Sequence, residues 1–442
     1  MTIQLSDHFT YKKLFLFCLS PIIMMVFTSV YGVVDGLFVS NFVGKVPFAA
    51  INLIMPVIMI LGGVGFMIGA GGSAFVAKTL GEGKRKDANR YFTMMIQLTV
   101  LSGILLSAIV VIFLRPIALF LGATDAMLDD CVTYGRIALI FNTSFMLQNV
   151  FQVFLTTAEK PKLGLAATLA GGIANMALDA LFIAGFHWGV AGAALATGIG
   201  ESIGGVLPLL YFLRPNTSLL RLTKTKMELP VIIKSCVNGS SEFLSTAASS
   251  IVSIVYNFQL LRFAGENGVA AYGTLMYIQF IFIAIFIGYT IGTTPVISYN
   301  YGAGNHGELK NMLKKSLILT SSVGVVMMAA AQIFAVPLSN LFVGYDAELF
   351  EITKHAFRLF AFSFLLSGIN IFASSFFTAL NNGLISAVIS FLRTLVFQLL
   401  SVLLLPLIFG LDGIWLAITV AEAGAILIVT AFLIKNRKKY HY

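Results

Sequence analysis

The chain has 442 residues, of which 58% are hydrophobic and 11% are charged. Soluble globular proteins carry about 25% charged residues, so this composition excludes an ordinary soluble protein. The net charge of +9 would suit a nucleic-acid-binding protein. The distribution of the basic residues along the chain instead indicates membrane topology, and we expect no nucleic acid partner.

Twelve long apolar segments follow one another and predict an all-α polytopic membrane protein with twelve transmembrane helices. These segments lack the alternation that a transmembrane barrel requires. Their approximate bounds are 14–40, 48–77, 91–114, 131–157, 163–184, 189–213, 229–262, 269–299, 311–337, 352–379, 384–409 and 412–434. The first is too long for a cleavable signal and lacks a cleavage site, so it is interpreted as the first span. Cys18, Cys131 and Cys236 are scattered in apolar settings, which predicts neither a disulfide nor a metal site.

The basic residues lie mainly on one side of the predicted membrane. If the N-terminus is cytoplasmic, 21 of the 28 Lys and Arg residues lie in cytoplasmic segments and 4 on the opposite side. The other three, Arg136, Arg358 and Arg393, lie within spans, the first two near outer ends where they would anchor the interface. This asymmetry predicts a multi-pass protein of the cell membrane with both termini in the cytoplasm.

The chain repeats itself at an offset of 221 residues. Gly81-Glu82-Gly83 corresponds to Gly302-Ala303-Gly304, and the segment from Gly189 to Glu201 corresponds to Gly410 to Glu422. The repeat predicts two pseudo-symmetric six-helix lobes, 1–220 and 221–442. Because six is even, both lobes have the same orientation, with a cavity expected between them.

Polar residues recur on one face of two apolar segments between Leu169 and Ser202. Asn175 and Asp179 are four residues apart and therefore lie on one helix face, and Thr197 is on the next helix. Small residues on both helices would let them approach closely. A carboxylate at the bilayer centre costs at least about 2.5–3.5 kcal/mol, so Asp179 indicates an ion or substrate path. The alternative is a hydrogen bond that only packs two helices.

At this point the chain resembles the multidrug and toxic compound extrusion (MATE) family, nearest to its MepA-like bacterial branch. The likeness covers the whole chain and rests on its two six-span halves and on short motifs. The motifs are Pro21, Tyr31-Gly32-Val33-Val34-Asp35, Leu80-Gly81-Glu82-Gly83, Asn175-Met176-Ala177-Leu178-Asp179 and Gly192-Ala193-Ala194-Leu195-Ala196-Thr197.

The resemblance implies a secondary active multidrug exporter that antiports organic, often cationic, compounds against H⁺ or Na⁺ by alternating access. It implies no enzymatic activity and no cofactor beyond the coupling ion. A cation-coupling site would consist of Asp35, Asn175, Asp179 and Thr197, which would be metal ligands if the ion is Na⁺. An acid in span 7 of the family is matched by Glu242, whereas an acid in span 10 has no counterpart between Phe357 and Thr378. We expect the protein to act as a monomer in the lipid bilayer and to contribute to antibiotic resistance.

The residues support coupling in the first lobe. If Asp35 faces Asp179, the two carboxylates repel each other when ionised, and a proton or Na⁺ between them would relieve that repulsion. The offset of 221 places Tyr256 opposite Asp35 and Leu400 opposite Asp179, so the second lobe lacks both acids.

Substrate contacts are predicted in and near the cavity between the lobes. Glu242 begins a polar face of span 7, where the alternative is a hydrated helix end. The other candidates are Gln148, Gln152, Met276, Gln279 and Phe280, since methionine and aromatic side chains adapt to varied flat cations. For Phe280, packing in the core is the favoured interpretation. Glu201 and Glu422 match across the repeat, which slightly favours a structural role for both, and Arg393 needs a partner that the sequence does not identify.

Two other functions, a lipid flippase and an intramembrane enzyme, fit the sequence less well than export. A flippase for a lipid-linked saccharide would need basic cavity residues for pyrophosphate, yet five intramembrane acids exceed the three intramembrane arginines. The acids are Asp35, Asp179, Glu201, Glu242 and Glu422. An intramembrane enzyme is disfavoured because the sequence has no H-E-x-x-H motif and its five histidines all lie at ends or in loops.

Overall fold

The computed structural model describes residues 3–442, apart from the side chain of Lys45. The described secondary structure is helical throughout. The helices are α1 (Tyr11–Phe38), α2 (Lys45–Gly81), α3 (Arg85–Phe120), α4 (Asp125–Thr157), α5 (Pro161–Asp179), α6 (Gly189–Leu213), α7 (Leu229–Gly302), α8 (His306–Val343), α9 (Ala347–Phe360), α10 (Phe364–Ala379), α11 (Gly383–Phe391), α12 (Phe397–Leu404), α13 (Pro406–Phe409) and α14 (Leu411–Tyr440).

Eleven continuous helical stretches among the described residues are long and apolar enough to cross a membrane. One of them, α7, has 74 residues and would be about 111 Å long if straight, far more than a bilayer needs. Its backbone turns at Gly265, where φ is 60° and ψ is −150°, a conformation that favours glycine. The rings of Tyr256 and Tyr272, on either side of the turn, stack with centroids 5.0 Å apart. The chain therefore reverses at Gly265, and α7 contains the predicted spans 7 and 8.

Two predicted spans are less regular than expected. The predicted span 352–379 is divided between α9 and α10 by a 3₁₀ turn at Ala361–Ser363. The predicted span 384–409 contains a π-helical segment at Leu392–Val396 and a break before α13. Hydropathy reports only that a segment is apolar, so it does not detect such local changes in helical pitch. In contrast, α6 has the predicted bounds 189–213.

The hydrophobic cores distinguish the two ends of the bundle. One buried cluster, from Val252 to Ile418, draws only on the second half of the chain, and another, from Val39 to Ala194, only on the first half. Three further clusters mix the halves, and the largest of them packs Leu5, Phe9 and Phe17 with residues from Tyr289 to Tyr442. The two larger mixed clusters lie at the end that carries both termini, which we call the terminal face. The third is small and joins Met24 and Met25 of α1 to Ala284 of α7.

Glycines allow the halves to touch near the terminal face. A Cβ atom at Gly71 of α2 would collide with the carbonyl of Ser235 in α7, and one at Gly239 would collide with the carbonyl of Met67. Nearer the helix ends, a Cβ atom at Gly302 would collide with the carbonyl of Lys78. Backbone meets backbone at these points, so α2 and α7 close the bundle at the terminal face.

The segment before α1 joins both halves at this face. The amide N–H of Leu5 donates to Glu159 Oε1 at 2.7 Å, while Asn300 Nδ2 donates to the Leu5 carbonyl at 3.2 Å. The amide N–H of Phe9 donates to Glu308 Oε1 at 3.0 Å. Leu5 and Phe9 are fully buried. The N-terminal segment therefore spans the seam between the halves.

Candidate cation site

Close helix packing brings the predicted polar residues of the first half together. A Cβ atom at Gly200 of α6 would lie 2.7 Å from the carbonyl of Gly171 in α5. A Cβ atom at Gly172 would lie 2.5 Å from the ring of Phe27 in α1. The expectation that small residues allow close approach is confirmed here. As a result α1, α5 and α6 meet around one buried polar group of side chains.

The four residues predicted to couple a cation are neighbours. Asn175 Nδ2 donates to Thr197 Oγ1 at 3.4 Å, and Thr197 Oγ1 donates to Asp35 Oδ1 at 3.5 Å. The carboxyl groups of Asp35 and Asp179 are close enough to interact electrostatically. Helices α1, α5 and α6 thus bring carboxylate, amide and hydroxyl oxygens together at one place.

Several of these oxygens receive no hydrogen bond. Asp179 is fully buried, yet neither of its carboxylate oxygens has a donor among the described residues. Asn175 Oδ1 is also buried without a donor. A buried ionised carboxylate without a partner is very costly, so this arrangement fits a site that binds a proton or a small cation. The described residues contain no group of three His, Cys, Asp or Glu side chains able to hold a metal. Na⁺ would therefore depend on the amide and hydroxyl oxygens as well.

Irregular helix borders each acid of the site. Asp35 lies one turn before the π-helical segment Val39–Val43, and Asp179 is the last α-helical residue before the π-helical segment Ala180–Gly185. Such π segments occur frequently at functional sites because they change which side chains face a neighbour.

The second half contains a closed ion pair instead. Arg393 Nε donates to both carboxylate oxygens of Glu422, at 2.9 and 3.0 Å, and Asn370 Nδ2 donates to Glu422 Oε2 at 2.6 Å. Glu422 is 1% exposed. The partner of Arg393 is therefore Glu422. This contact fits the structural role that the sequence slightly favoured for Glu422. Asn370 was not identified from the sequence, although it stands 221 residues after Asn149 and the repeat could have indicated it.

Glu201, the counterpart of Glu422, has different surroundings. The described residues give its carboxylate neither a hydrogen bond nor a salt bridge, and it lines a small cavity with Thr197. The position that matches Arg393 is occupied by Gly172. The shared structural role expected for the two acids is thus not seen at Glu201.

The predicted substrate contacts do not form one group. Glu242 is half-buried, with its neighbour Thr246 against Gly63 of α2, so it lies near the boundary of the halves. Gln148 and Gln152 are buried within the first half, and the side chain of Gln148 lies against Gly204 of α6. Met276 packs against the core of the second half.

Of the remaining two candidates, Gln279 is half-buried. The interpretation of Phe280 as a core residue is wrong, because 64% of its surface is exposed. Phe280 lies two residues after the buried Ile278 in α7 and therefore on nearly the opposite face of the helix. Its ring points away from the core. Arg136 and Arg358 are both exposed, as expected for interfacial anchors.

Comparison with known families decides the class of this protein. The family model described as MatE matches residues 21–181 and again residues 243–403. The chain belongs to the MatE family. The two matches begin 222 residues apart, as the internal repeat leads one to expect. This is a family of membrane transporters and not of enzymes, so the MatE-family chain described here is a multi-pass membrane protein of that class.

Relatives and solved structures agree with this placement. The chain is 25% identical to the multidrug export protein MepA of Staphylococcus haemolyticus, over 96% of this chain and 92% of the relative. It is 26% identical to MepA of Staphylococcus aureus, over 97% and 94% of the two chains. Its fold is similar to the outward-facing conformation of a multidrug resistance MATE family transporter of the MOP superfamily. That similarity has a TM-score of 0.92 and 21% identity, and covers 98% of this chain and 97% of the other.

Proposed function

We propose that this MatE-family transporter is a secondary active multidrug exporter, which antiports organic and often cationic compounds against H⁺ or Na⁺. One observation carries the proposal: Asp35 and Asp179 face each other in the first half, and the buried Asp179 has no donor. Such a pair is stabilised by a bound cation, and its affinity would change as the helices around it move. The MepA relatives are named multidrug export proteins, which supports drugs as the class of exported substrate.

Proton coupling is the version we favour. Two facing carboxyl groups suit a single shared proton, because both cannot be ionised at close range without a large repulsion. Na⁺ remains the alternative, held by the same carboxylates with Asn175 and Thr197. Coupling belongs to the first half in this proposal, since Glu422 of the second half is already compensated by Arg393.

Alternating access would proceed by rocking of the two lobes, 1–220 and 221–442, around a cavity between them. The halves touch at the terminal face and have separate cores at the other end. With both termini in the cytoplasm, the structure would be closed to the cytoplasm and open outward. A reporter fused after Tyr442 tests the orientation, and activity confined to the outside of the cell would contradict it.

Glu242 is proposed to attract cationic substrates at the boundary of the lobes, with Gln279 and Phe280 of α7 on the substrate path. Gln148 and Gln152 would influence substrate binding from within the first half. Met276 would do so from the core of the second half. A flippase is a poorer match, because Arg393 is bound to Glu422 and is not free to hold a pyrophosphate.

The decisive experiment is dye efflux from proteoliposomes under separately imposed H⁺ and Na⁺ gradients. The proposal expects efflux of a cationic dye driven by an H⁺ gradient in the absence of Na⁺. Efflux driven only by Na⁺ would assign Na⁺ as the coupling ion. Absence of efflux under either gradient, with protein shown to be folded, would contradict the proposed function.

A further inference from the structure

A small cavity lies beside the Asp35–Asp179 site in the first half. Its volume is about 50 Å³, and its lining includes Tyr134 and Asn142 of α4 and Thr197 and Glu201 of α6, with Met55 and Phe145 as apolar walls. A water molecule occupies about 30 Å³ in the liquid, whereas pockets for drug-sized ligands have about 300–1,000 Å³. The cavity can therefore hold one water or one small cation, and it excludes an organic substrate.

The polar atoms of this cavity are short of partners. Asn142 is 1% exposed, and its Nδ2 donates to Ser107 Oγ at 3.0 Å on the side of α3. That bond fixes the amide so that Oδ1 is the free end, and this oxygen has no donor in the described part of the chain. The Glu201 carboxylate and the Tyr134 hydroxyl, on the same cavity, likewise take part in no hydrogen bond between described residues.

The charges around the cavity are all acidic. Glu201 is within electrostatic range of Asp35, while Tyr134 is within range of Asp35, Asp179 and Glu201. Tyr31 of α1 is the other titratable group facing Glu201. The donor-free oxygens and the negative potential together favour a positively charged occupant.

The internal repeat supplies a comparison within the molecule. Glu422 stands at the matching position of the second half, where the guanidinium of Arg393 is its permanent counter-charge. Gly172 stands at the position of Arg393 in the first half, and no described side chain forms a salt bridge with Glu201. The carboxylate at this position is thus compensated by a side chain in the second half and by none of the described side chains in the first.

We infer that Glu201, Tyr134 and Asn142 form a second binding position for a small monovalent cation, a proton or Na⁺, adjoining the Asp35–Asp179 site. Thr197 joins the two positions, because it lines the cavity and also donates to Asp35. The inference rests on the proposed function, and it adds a second cation per transport cycle to it. Glu201 is a binding residue in this scheme, and Asn142 completes its oxygen shell.

The test counts the cations exchanged per dye molecule in proteoliposomes, from the gradient at which net dye flux reverses. One arm imposes an H⁺ gradient without Na⁺, and the other imposes a Na⁺ gradient at equal pH, so the two arms identify the ion. Glu201→Gln should lower the ratio by one in the arm that drives transport by wild type, with export retained. Asn142→Leu should keep the carboxylate but weaken the apparent affinity for that ion several-fold.

The controls separate this inference from the proposed function. The double variant Arg393→Met with Glu422→Gln should keep the wild-type ratio, because it removes a pair that is already compensated. Asp179→Asn reports on the proposed function alone and should abolish gradient-driven export. If Glu201→Gln fails to fold, Glu201→Asp should restore both folding and the wild-type ratio. An unchanged ratio in folded Glu201→Gln, together with an unchanged affinity in Asn142→Leu, would overturn the inference while leaving the coupling by Asp179 intact.

Discussion

A carboxylate buried without any donor is costly in its ionised form, and Asp179 is in that position. Glu422 is equally buried but receives two bonds from Arg393 and one from Asn370. Burial is therefore the same for the two acids, whereas compensation is opposite. At the scale of single residues, this difference separates a group able to bind and release a cation from one that holds helices together.

Replacing Asp179 or Asp35 by Asn should abolish gradient-driven export while leaving folding and drug binding largely intact. Asn retains the volume and hydrogen-bonding capacity of Asp but removes the charge that binds the cation. Coupling requires a ligand whose affinity differs between the two conformations, and without it no gradient can shift their populations. Dye efflux measured beside dye binding checks this outcome. Wild-type efflux by Asp179→Asn under an H⁺ gradient would make the site structural.

Glu242→Gln should weaken export of cationic compounds more than export of neutral ones. The substitution removes a charge at the boundary of the halves and breaks no hydrogen bond of the carboxylate in the described part of the chain. It also removes a negative charge from the surroundings of Arg393. Efflux of a matched cationic and neutral dye pair measures the selectivity. Equal loss for both dyes would assign Glu242 to coupling or folding.

Removing only one member of the Arg393–Glu422 pair should destabilise the protein. Removing one partner of a buried pair typically costs about 3–5 kcal/mol because the other charge is left unpaired. We expect a marked fall in Tm for Arg393→Met, and recovery of most of that loss in Arg393→Met with Glu422→Gln. Thermal unfolding in detergent provides the measurement. An additive loss in the double variant would show that Arg393 and Glu422 contribute independently.

At the scale of helices, the closest contact between the halves is made by glycine. The backbones of α2 and α7 touch at Gly71 and Gly239, where any side chain would collide with a carbonyl. This contact is possible because glycine has no Cβ atom, and it allows α2 and α7 to meet without intervening side chains. In the proposed mechanism, opening at this face would separate these two helices.

Gly239→Ala should open the terminal face and raise the reactivity of Cys236, which is half-buried one turn away. The added methyl group must push against the carbonyl of Met67, so the closed conformation loses stability. The rate of thiol labelling of Cys236 measures the change. Gly273→Ala is the matched control on α7, since a Cβ atom there meets nothing within 4 Å. Equal labelling of both variants would show that α2 and α7 do not need this contact.

At the scale of the whole molecule, backbone contacts join the two halves at the terminal face, whereas each of the large clusters at the opposite end belongs to one half. The N-terminal segment reinforces this seam, because Leu5 is bonded to Glu159 of the first half and to Asn300 of the second. Rocking of the halves would have to break these bonds together with the contacts between α2 and α7. In the proposed rocking mechanism, the seam is therefore the part of the molecule that has to open.

Crosslinking the halves across this seam should stop transport. The ammonium of Lys78 lies 5.4 Å from the ring centre of Tyr301, so cysteines at these two positions can be joined by a short bifunctional thiol reagent. Replacing Cys236 by Ser removes the partly accessible native thiol, while Cys18 and Cys131 are buried. Efflux should be lost on crosslinking and return when a reducible linker is cleaved. Full turnover by completely crosslinked protein would exclude rocking at this face.

The amino-acid sequence by itself determined the membrane class, the repeat and the identity of the coupling candidates. Apolar runs and the 221-residue offset can be read directly along the chain. Asn175 and Asp179 share a helix face because their spacing of four residues is a local property of the helix. The sequence also indicated Asp35 and Thr197 through the family resemblance, and the structure places both beside Asn175 and Asp179.

Only the tertiary structure decided which charges are compensated. Glu201 and Glu422 are equivalent in the sequence, but their surroundings differ. Arg393 is bonded to Glu422, whereas Gly172, at the position that matches Arg393, packs against Phe27 and Tyr31. The exposure of Phe280 was likewise fixed by packing between distant segments. Periodicity specifies the face on which a residue lies, whereas its partner across that face is set by how the helices pack.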